Sequence, residues 1–311
     1  MTSARLPRTV VPSRYDIRIE PDLAAATFVG EETIEATVRE ATDEIVVNAA
    51  DLTIRTVAVE QHGLGLTGSI ELDEAAERAV LRFARPLQPG PCRLVLAFSG
   101  VLNDRLRGFY RSTFTGDDGR PRTLGVTQFE ATDARRAFPC WDEPAFKAVF
   151  RLTLVVPEDL AAISNTAIAD VRPLPDRAKK AVTFGPTIPM STYLCAFVIG
   201  PLVPTVPVKA GGVPIRVWAA PGKGHLAGFA LESPRSPCGS IRSITAYRTL
   251  GTSWISSPFP TLPSAPWKIS GPSRFGRRPS WLTRAAPPIV SWRASPTWWR
   301  TRSPTCGSAT S

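Results

Sequence analysis

Residues 15–20 read Y-D-I-R-I-E, with apolar side chains at Tyr15, Ile17 and Ile19 and charged side chains between them. This period of two is the pattern of a β-strand that buries one face. Short apolar or alternating runs of the same kind recur at 33–38, 45–47, 52–54, 57–59, 79–83, 94–98, 150–156 and 194–199. The first 200 residues are therefore expected to be rich in β-strands.

Turn-forming residues separate these runs, for example at 21–22 (Pro-Asp), 88–90 (Gln-Pro-Gly) and 117–119 (Asp-Asp-Gly). No long stretch before about Gly224 shows the 3.6-residue period of a helix. Many short strands punctuated by turns favour a sandwich or a set of curved sheets. Residues 1–205 are thus predicted to form an all-β domain.

The segment after this domain is predicted to begin a second one. Residues 201–214 are rich in Pro, Val and Gly and are interpreted as a connector. Residues 213–220 are predicted to be one further strand, and residues 225–232 the first two turns of a helix. We assign 206–232 to the start of this second domain.

The chain changes composition near Glu232. The first 232 residues carry 26 Lys and Arg against 27 Asp and Glu, whereas the last 79 carry 11 Lys and Arg and no acidic residue. This tail also holds 12 prolines, 16 serines and six of the eight tryptophans. Proline at that frequency disfavours helix interiors and central strands. Residues 233–311 are therefore predicted to be a disordered Arg/Pro/Ser/Trp-rich tail.

Composition narrows the class of protein further. No run approaches the roughly 18 apolar residues that a membrane helix needs, and residues 1–15 lack the apolar core of a signal peptide. A cytoplasmic protein without a membrane partner is expected. The five cysteines are widely spaced and include no C-x-x-C pair, so neither a disulfide framework nor a structural zinc site is expected.

Residues 127–148 carry the most specific motif, T-Q-F-E-A-T-D-A-R-R-A-F-P-C-W-D-E-P-A-F-K-A. This string closely resembles the signature of the aminopeptidase N-like zinc metallopeptidases (gluzincin aminopeptidases). G-F-Y-R-S at 108–112 and V-P-S-R-Y-D at 11–16 match the glycine-aromatic loop and the opening strand of the same family. The resemblance covers about residues 1–232. It implies the family's saddle-like N-terminal β domain and, for the intact enzyme, zinc-dependent removal of the N-terminal amino acid from peptides.

The resemblance also implies a substrate-binding role for two residues of this motif. Glu130 would pair its carboxylate with the free α-ammonium group at a peptide N-terminus, and Gln128 would help to shape the pocket for the first side chain. A charge-assisted hydrogen bond to a cation selects a free N-terminus and so favours exopeptidase cleavage. Without the motif, Glu130 would be interpreted as a solvated loop carboxylate.

Four charged residues later in the motif suggest support for this loop. Arg135, Arg136, Asp142 and Glu143 are predicted to form a local ion-pair network that acts structurally rather than by touching substrate.

The family's catalytic zinc site cannot be assembled from this sequence. It requires H-E-x-x-H on a helix, with two histidines that bind zinc and a glutamate that activates water. The chain contains two histidines, His62 and His225, and neither is followed by Glu. We therefore expect no catalytic residue, no metal ligand and no bound cofactor in this chain, and no peptidase activity.

A change of reading frame would explain both the tail and the missing zinc motif. When codons are read two bases into each in-frame codon, residues 264–269 permit G-A-M-E-N, the family's substrate-backbone motif. The same offset permits H-E-V-A-H within residues 298–307, and a third family string within residues 243–261. Three such strings in order, at one offset, indicate a frameshift between about Glu232 and Ser243.

Two alternatives remain open at this stage. The chain could be a non-enzymatic β-sandwich module whose basic tail binds polyanions. The tail has no recognised motif, so such binding would be generic and salt-dependent rather than specific for a nucleic acid. The fragment could also be poorly soluble, because densely exposed tryptophans favour aggregation. No pattern in the sequence indicates an oligomeric state.

Overall fold

The computed structural model describes residues 5–116, 118–210, 213–228 and 231. These residues form strands joined by turns, with 3₁₀ turns at Ala134–Arg136, Pro175–Arg177, Thr192–Leu194 and Gly224–Ala227. The predicted tail, 233–311, lies outside them. The strands are β1 (Val10–Asp22), β2 (Thr27–Val38), β3 (Thr42–Asn48), β4 (Leu52–Gln61), β5 (Leu64–Asp73), β6 (Arg78–Leu87), β7 (Gly90–Val101), β8 (Gly108–Thr115), β9 (Pro121–Gln128), β10 (Val149–Pro157), β11 (Ala161–Ser164), β12 (Ile168–Leu174), β13 (Lys179–Phe184), β14 (Phe197–Gly200), β15 (Val203–Pro204), β16 (Val208–Ala210), β17 (Val213–Ile215) and β18 (Trp218–Ala219).

The larger sheet has ten strands in the order β12-β13-β10-β1-β2-β7-β4-β5-β6-β3. Strand β2, next to the middle of the sheet, pairs antiparallel with β1 from Val10↔Val38 to Asp22↔Thr27. Strand β10 joins β1 in parallel, from Arg14↔Val149 to Ile19↔Leu154. The all-β prediction for this part of the chain is confirmed.

A second sheet has four strands in the order β11-β14-β9-β8. The β8/β9 hairpin pairs Gly108 with Gln128 at its open end, and β14 pairs with β9 through Val198↔Val126. Two small pairs, β16/β17 and β15/β18, follow in the chain. The smaller sheet thus ends at Gln128, the first residue of the predicted site.

A continuous aromatic cluster joins the two sheets. Phe28 of β2 packs on Phe109 of β8, with ring centroids 5.2 Å apart, and Phe109 packs on Phe197 of β14 at 4.8 Å. On the other side, Tyr15 of β1 stacks on Phe150 of β10 at 4.8 Å. All five rings are buried, so the alternating pattern of β1 marks the strand face that forms the core.

The strand predictions fail where the chain changes its pairing partner. Residues 213–220 are not one strand: β17 pairs with β16, whereas β18 pairs with β15, and the exchange of partners breaks the strand at 216–217. Residues 194–196 are likewise not strand, because the 3₁₀ turn Thr192–Leu194 precedes β14. The predicted helix at 225–232 begins as the 3₁₀ turn Gly224–Ala227, and most of its remainder lies outside the described residues.

No helix in the part of the chain that the structure describes is long and apolar enough to cross a membrane.

Two glycines let aromatic rings lie flat on the central strands. Gly30 of β2 pairs with Phe98 of β7, and Gly100 of β7 pairs with Phe28 of β2. A Cβ atom at Gly30 would lie 2.4 Å from the Phe98 ring, and one at Gly100 would lie 2.4 Å from the Phe28 ring. Both rings are almost fully buried. These cross-strand pairs therefore leave no room for a methyl group at either glycine.

Substitution Gly30→Ala is expected to destabilise the domain, because the buried Phe98 ring would have to leave its place in a packed core. Overpacking of this kind costs about 1–3 kcal/mol, measurable by urea denaturation of the purified chain. Gly65→Ala on β5 is the matched control, since no atom lies within 4 Å of the position that a Cβ atom would take there. Equal stability of the two variants would contradict the prediction.

Candidate functional site

Gln128 and Glu130 lie on either side of a buried anchor, Phe129. Gln128 is the last residue of β9 and is half-buried, Phe129 is buried, and Glu130 is exposed. The Phe129 ring packs on Phe138 at 5.9 Å and on Phe197 at 6.2 Å between ring centroids. The buried Phe129 is thus flanked by two more exposed neighbours.

Thr127 fixes the end of β9 to the neighbouring strand. Its hydroxyl donates to the carbonyl oxygen of Phe197 at 3.1 Å and accepts from the amide of the same residue at 2.9 Å. This side chain prolongs the β9/β14 ladder by one step beyond the backbone pairs. The backbone that carries Gln128 is therefore held on both sides, by β8 and by β14.

A tight turn follows Phe129. The amide of Asp133 donates to the carbonyl oxygen of Phe129 at 2.9 Å, and the Glu130–Ala131 peptide bond within this turn is cis. The turn packs against Gly108, whose positive φ of 66° suits glycine. A Cβ atom at Gly108 would lie 2.7 Å from Cβ of Arg136. The strand that pairs with Gln128 thus also supports the residues after Glu130.

Arg136 ties this turn to distant parts of the larger sheet. Its guanidinium is bound to Asp133 at 2.8 Å and is also paired with Asp51 and Glu77. Burial alone would lower the pKa of Arg136, but the hydrogen bond that it donates to Asp133 and the charges of Glu77 and Asp51 outweigh burial and raise the pKa. Arg136 therefore stays charged inside a set of three carboxylates.

Arg135 fixes the other side of the turn. Its Nε atom lies 3.0 Å from Asp142 Oδ2, and its Nη1 atom lies 3.1 Å from Glu77 Oε2. The buried Asp142 also accepts a hydrogen bond from the Thr192 hydroxyl at 2.6 Å, and its amide donates to the side chain of Asn48 at 3.1 Å. The segment is thereby bound to β3 and to the 3₁₀ turn before β14.

The predicted network is confirmed in part. Arg135 and Asp142 do form an ion pair, but Glu143 does not bind either arginine. Its carboxylate instead accepts from the amide of Leu6 at 2.6 Å and lies 3.6 Å from Arg5. Glu143 therefore holds the N-terminal segment against the loop.

Sequence reasoning missed three carboxylates of this network, Asp51, Glu77 and Asp133. Asp133 carried a usable signal, because it stands three residues before Arg136 within the motif. Asp51 and Glu77 lie in turns of the larger sheet, both at positive φ. Glu77 meets Arg135 from 58 residues away and Asp51 meets Arg136 from 85 residues away, so no local pattern connects these pairs.

The side chain of Glu130 has no hydrogen-bond or ion-pair partner among the residues that the structure describes, and the same is true of the Gln128 side chain. An exposed carboxylate with free oxygens, next to a half-buried amide, can accept hydrogen bonds from a cationic donor. Arg135 and Arg136, which follow Glu130 in the same segment, are already bound to other carboxylates.

Both histidines of the sequence lie in exposed positions. His62 lies in an exposed turn with a positive φ of 51°. His225 is exposed and its Nδ1 atom lies 3.0 Å from the carbonyl oxygen of Gly222. Within the described residues, no group of three or more His, Cys, Asp and Glu side chains is placed to hold a metal ion.

Comparison with known proteins agrees with the motif. Residues 11–194 match the family model described as the Peptidase M1 N-terminal domain. This matched range contains Gln128, Glu130 and the ion-pair network around Arg135 and Arg136, and it ends just before β14.

Similar proteins include Aminopeptidase M1 of Arabidopsis thaliana, 42% identical over 233 residues, which cover 73% of this chain and 26% of the relative. Aminopeptidase M1-D of Oryza sativa subsp. japonica is 39% identical over 260 residues, 83% of this chain and 28% of the relative. Aminopeptidase N of Acetobacter pasteurianus is 37% identical over 231 residues, 74% of this chain and 64% of that protein. The chain thus spans about a quarter of the length of the two plant relatives. The family match and these identities together show that the chain belongs to the M1 peptidase family and contains its N-terminal domain.

Proposed function

We propose that this chain provides the part of a zinc-dependent aminopeptidase that recognises the N-terminus of the peptide substrate. Glu130 accepts hydrogen bonds from the substrate α-ammonium group, and Gln128 helps to shape the pocket for the first side chain. The observation that carries the proposal is the exposed, unpartnered carboxylate of Glu130 just beyond the end of the β8/β9 hairpin, on a segment whose Arg135 and Arg136 are paired with other carboxylates.

The rigidity of the turn supports this role. A carboxylate that recognises one end of a peptide must stay within a few tenths of an ångström of its working position, which requires locked supporting residues. Phe129 and Thr127 anchor the backbone near Glu130 to Phe197 of β14, and Arg136 anchors it to Glu77 in a turn of the larger sheet. A free surface glutamate would have no need of such support.

The chain by itself is proposed to lack hydrolytic activity. The family reaction needs zinc, and the two histidines of this sequence are in separate, exposed positions. Their placement does not fit a metal site, so we derive no catalytic step for this chain. Recognition of the N-terminus and hydrolysis would then require residues from two parts of an intact enzyme.

The purified 311-residue chain is expected to release no N-terminal amino acid from peptide substrates. The measurement is an aminoacyl-amide hydrolysis assay with and without added zinc and with a chelator, using a full-length relative as positive control. Chelator-sensitive turnover by this chain would contradict the proposal.

Peptides with a free N-terminus are expected to bind this chain weakly, on the order of millimolar, because an exposed charge pair contributes little. Heteronuclear NMR with a dipeptide amide should shift the amides around Glu130, whereas the N-acetylated dipeptide should not. Glu130→Gln should abolish the shifts. Glu158→Gln, which alters an exposed carboxylate outside the loop, should leave them unchanged, and equal shifts with both peptides would contradict the role of Glu130.

The reading-frame hypothesis is tested at the DNA level. Sequencing the codons for residues 229–243 from an independent sample should show one base gained or lost, with the frame reopening into G-A-M-E-N and H-E-x-x-H. An unchanged frame in the independent sample would contradict the hypothesis.

In a frame-restored enzyme, Glu130→Gln should lower kcat/KM by about 10- to 100-fold, since a hydrogen bond to a charged group contributes about 1.5–3 kcal/mol.

A further inference from the structure

Glu32 is a carboxylic acid inside the hydrophobic core. It lies on β2 between Ile17 of β1 and Leu96 of β7, in phase with the buried Phe28 and Ile34 on the same strand face. Its side chain is 2% exposed. Neither carboxylate oxygen has a hydrogen-bond partner among the described residues.

The titratable groups that face Glu32 offer no compensating positive charge. Burial raises the pKa of Tyr15 on β1 and of Cys140 on the loop between β9 and β10, and the charge of Glu32 is one of the smaller causes that raise both pKa values. Asp142, the other acid near this pair, is already bound to Arg135 and Thr192. The neighbouring residues of β2's partner strands, Ile17 and Leu96, are apolar. Ionisation of Glu32 would therefore place an unpaired charge in the core.

Burial raises the pKa of Glu32 well above its ordinary value. A carboxyl group in this position is retained as the neutral acid, because a buried charge without a partner is far more costly than a buried neutral group. In the neutral form, the group can be tolerated within the packed core beside Tyr15.

If Glu32 ionised, water would reach its carboxylate past the neighbouring element that is attached by the fewest bonds. Strand β2 pairs with β1 and β7 over nearly its whole length, so neither strand separates easily. The segment 140–142 is attached by fewer bonds than either ladder of β2. Cys140 and Asn48 exchange two backbone hydrogen bonds, at 2.7 and 3.0 Å, and the Trp141 amide donates to the Tyr15 hydroxyl at 3.2 Å. Asp142 adds its bonds to Asn48, Arg135 and Thr192. The Tyr15 hydroxyl thus belongs both to the surroundings of Glu32 and to the attachment of the loop.

We propose that Glu32 acts as a proton-controlled latch on the segment 140–142. With Glu32 protonated, this segment closes over the core between the two sheets; with Glu32 ionised, the segment loosens and admits water to the carboxylate. The inference goes beyond N-terminus recognition and does not depend on it, since it concerns the core side of the loop and not the exposed Glu130.

The expected pH dependence has a definite sign. A carboxyl group whose pKa is raised on folding favours the folded state at low pH, and this advantage is lost as the pH rises through the folded pKa. Between the ordinary pKa of a glutamate and the raised value, the unfolding equilibrium constant should increase up to about ten-fold per pH unit because of Glu32 alone. Above the raised value it should become constant.

The test compares the full 311-residue chain with Glu32→Gln and Glu32→Met, by urea denaturation at several pH values between about 5 and 9. The two variants remove the ionisable group, so both should lose the rising component that the unmodified chain shows. Glu31→Gln, which changes the exposed neighbour on the same strand, is the control and should keep the dependence. Residues 233–311 contain no Asp, Glu or His, so the tail adds no titration in the lower part of this range.

The loop itself is tested by hydrogen exchange of the Trp141 amide. Its protection factor should fall with rising pH in the unmodified chain before that of amides in the β2/β7 ladder, and should stay constant in Glu32→Gln. Parallel stability curves for the unmodified chain and Glu32→Gln, or loss of Trp141 protection only together with global unfolding, would overturn the proposal.

Discussion

Phe129 contacts Phe138 and Phe197, and through these rings the loop after β9 becomes part of the core between the two sheets. Phe138 in turn touches Tyr15 and Phe150 of the larger sheet. Aromatic pairs of this kind add about 0.5–1.5 kcal/mol each beyond the burial of their surface. The position of Gln128 and Glu130 follows from this contact, because both are one residue away from a side chain that cannot move without disturbing both sheets.

The ion pairs around Arg135 and Arg136 have a different role from the aromatic core. Removing charges from water is costly, so a partly buried pair is weak evidence for stability, whereas loss of one partner is strongly unfavourable. Here Glu77 is shared by both arginines. Such sharing specifies where the turn 73–78 of the larger sheet must meet the loop. The network is therefore best understood as setting the geometry of the loop, with the aromatic rings providing most of the favourable free energy.

The sequence was sufficient for the elements whose pattern is local. The alternation at Tyr15, Ile17 and Ile19 predicts both the strand and its buried face, and the motif at 127–148 identifies the family and the candidate residues. Contacts formed by folding could not be predicted in this way: Glu77 meets Arg136 from 59 residues away, and the break at 216–217 arises from a change of pairing partner. Glu32 shows a third limit, since a glutamate at that position looks like a surface residue until its strand neighbours are known. The role of Gln128 and Glu130 is implied by the family resemblance, and the structure adds the support of their backbone.

The parallel pairing of β1 with β10 has a consequence for how the polypeptide folds during synthesis. Strand β1 precedes the other strands in the chain, but its parallel partner, β10, begins at Val149, and the smaller sheet needs β14, which ends at Gly200. Long-range pairings of this kind form slowly, because the intervening chain must close a large loop before any contact rewards it. About 200 residues must therefore leave the exit tunnel before both sheets can close, and until then the apolar face of β1 stays available to chaperones. Once β14 has been made, every strand of the two main sheets is present, so these sheets can close whatever sequence the ribosome adds next.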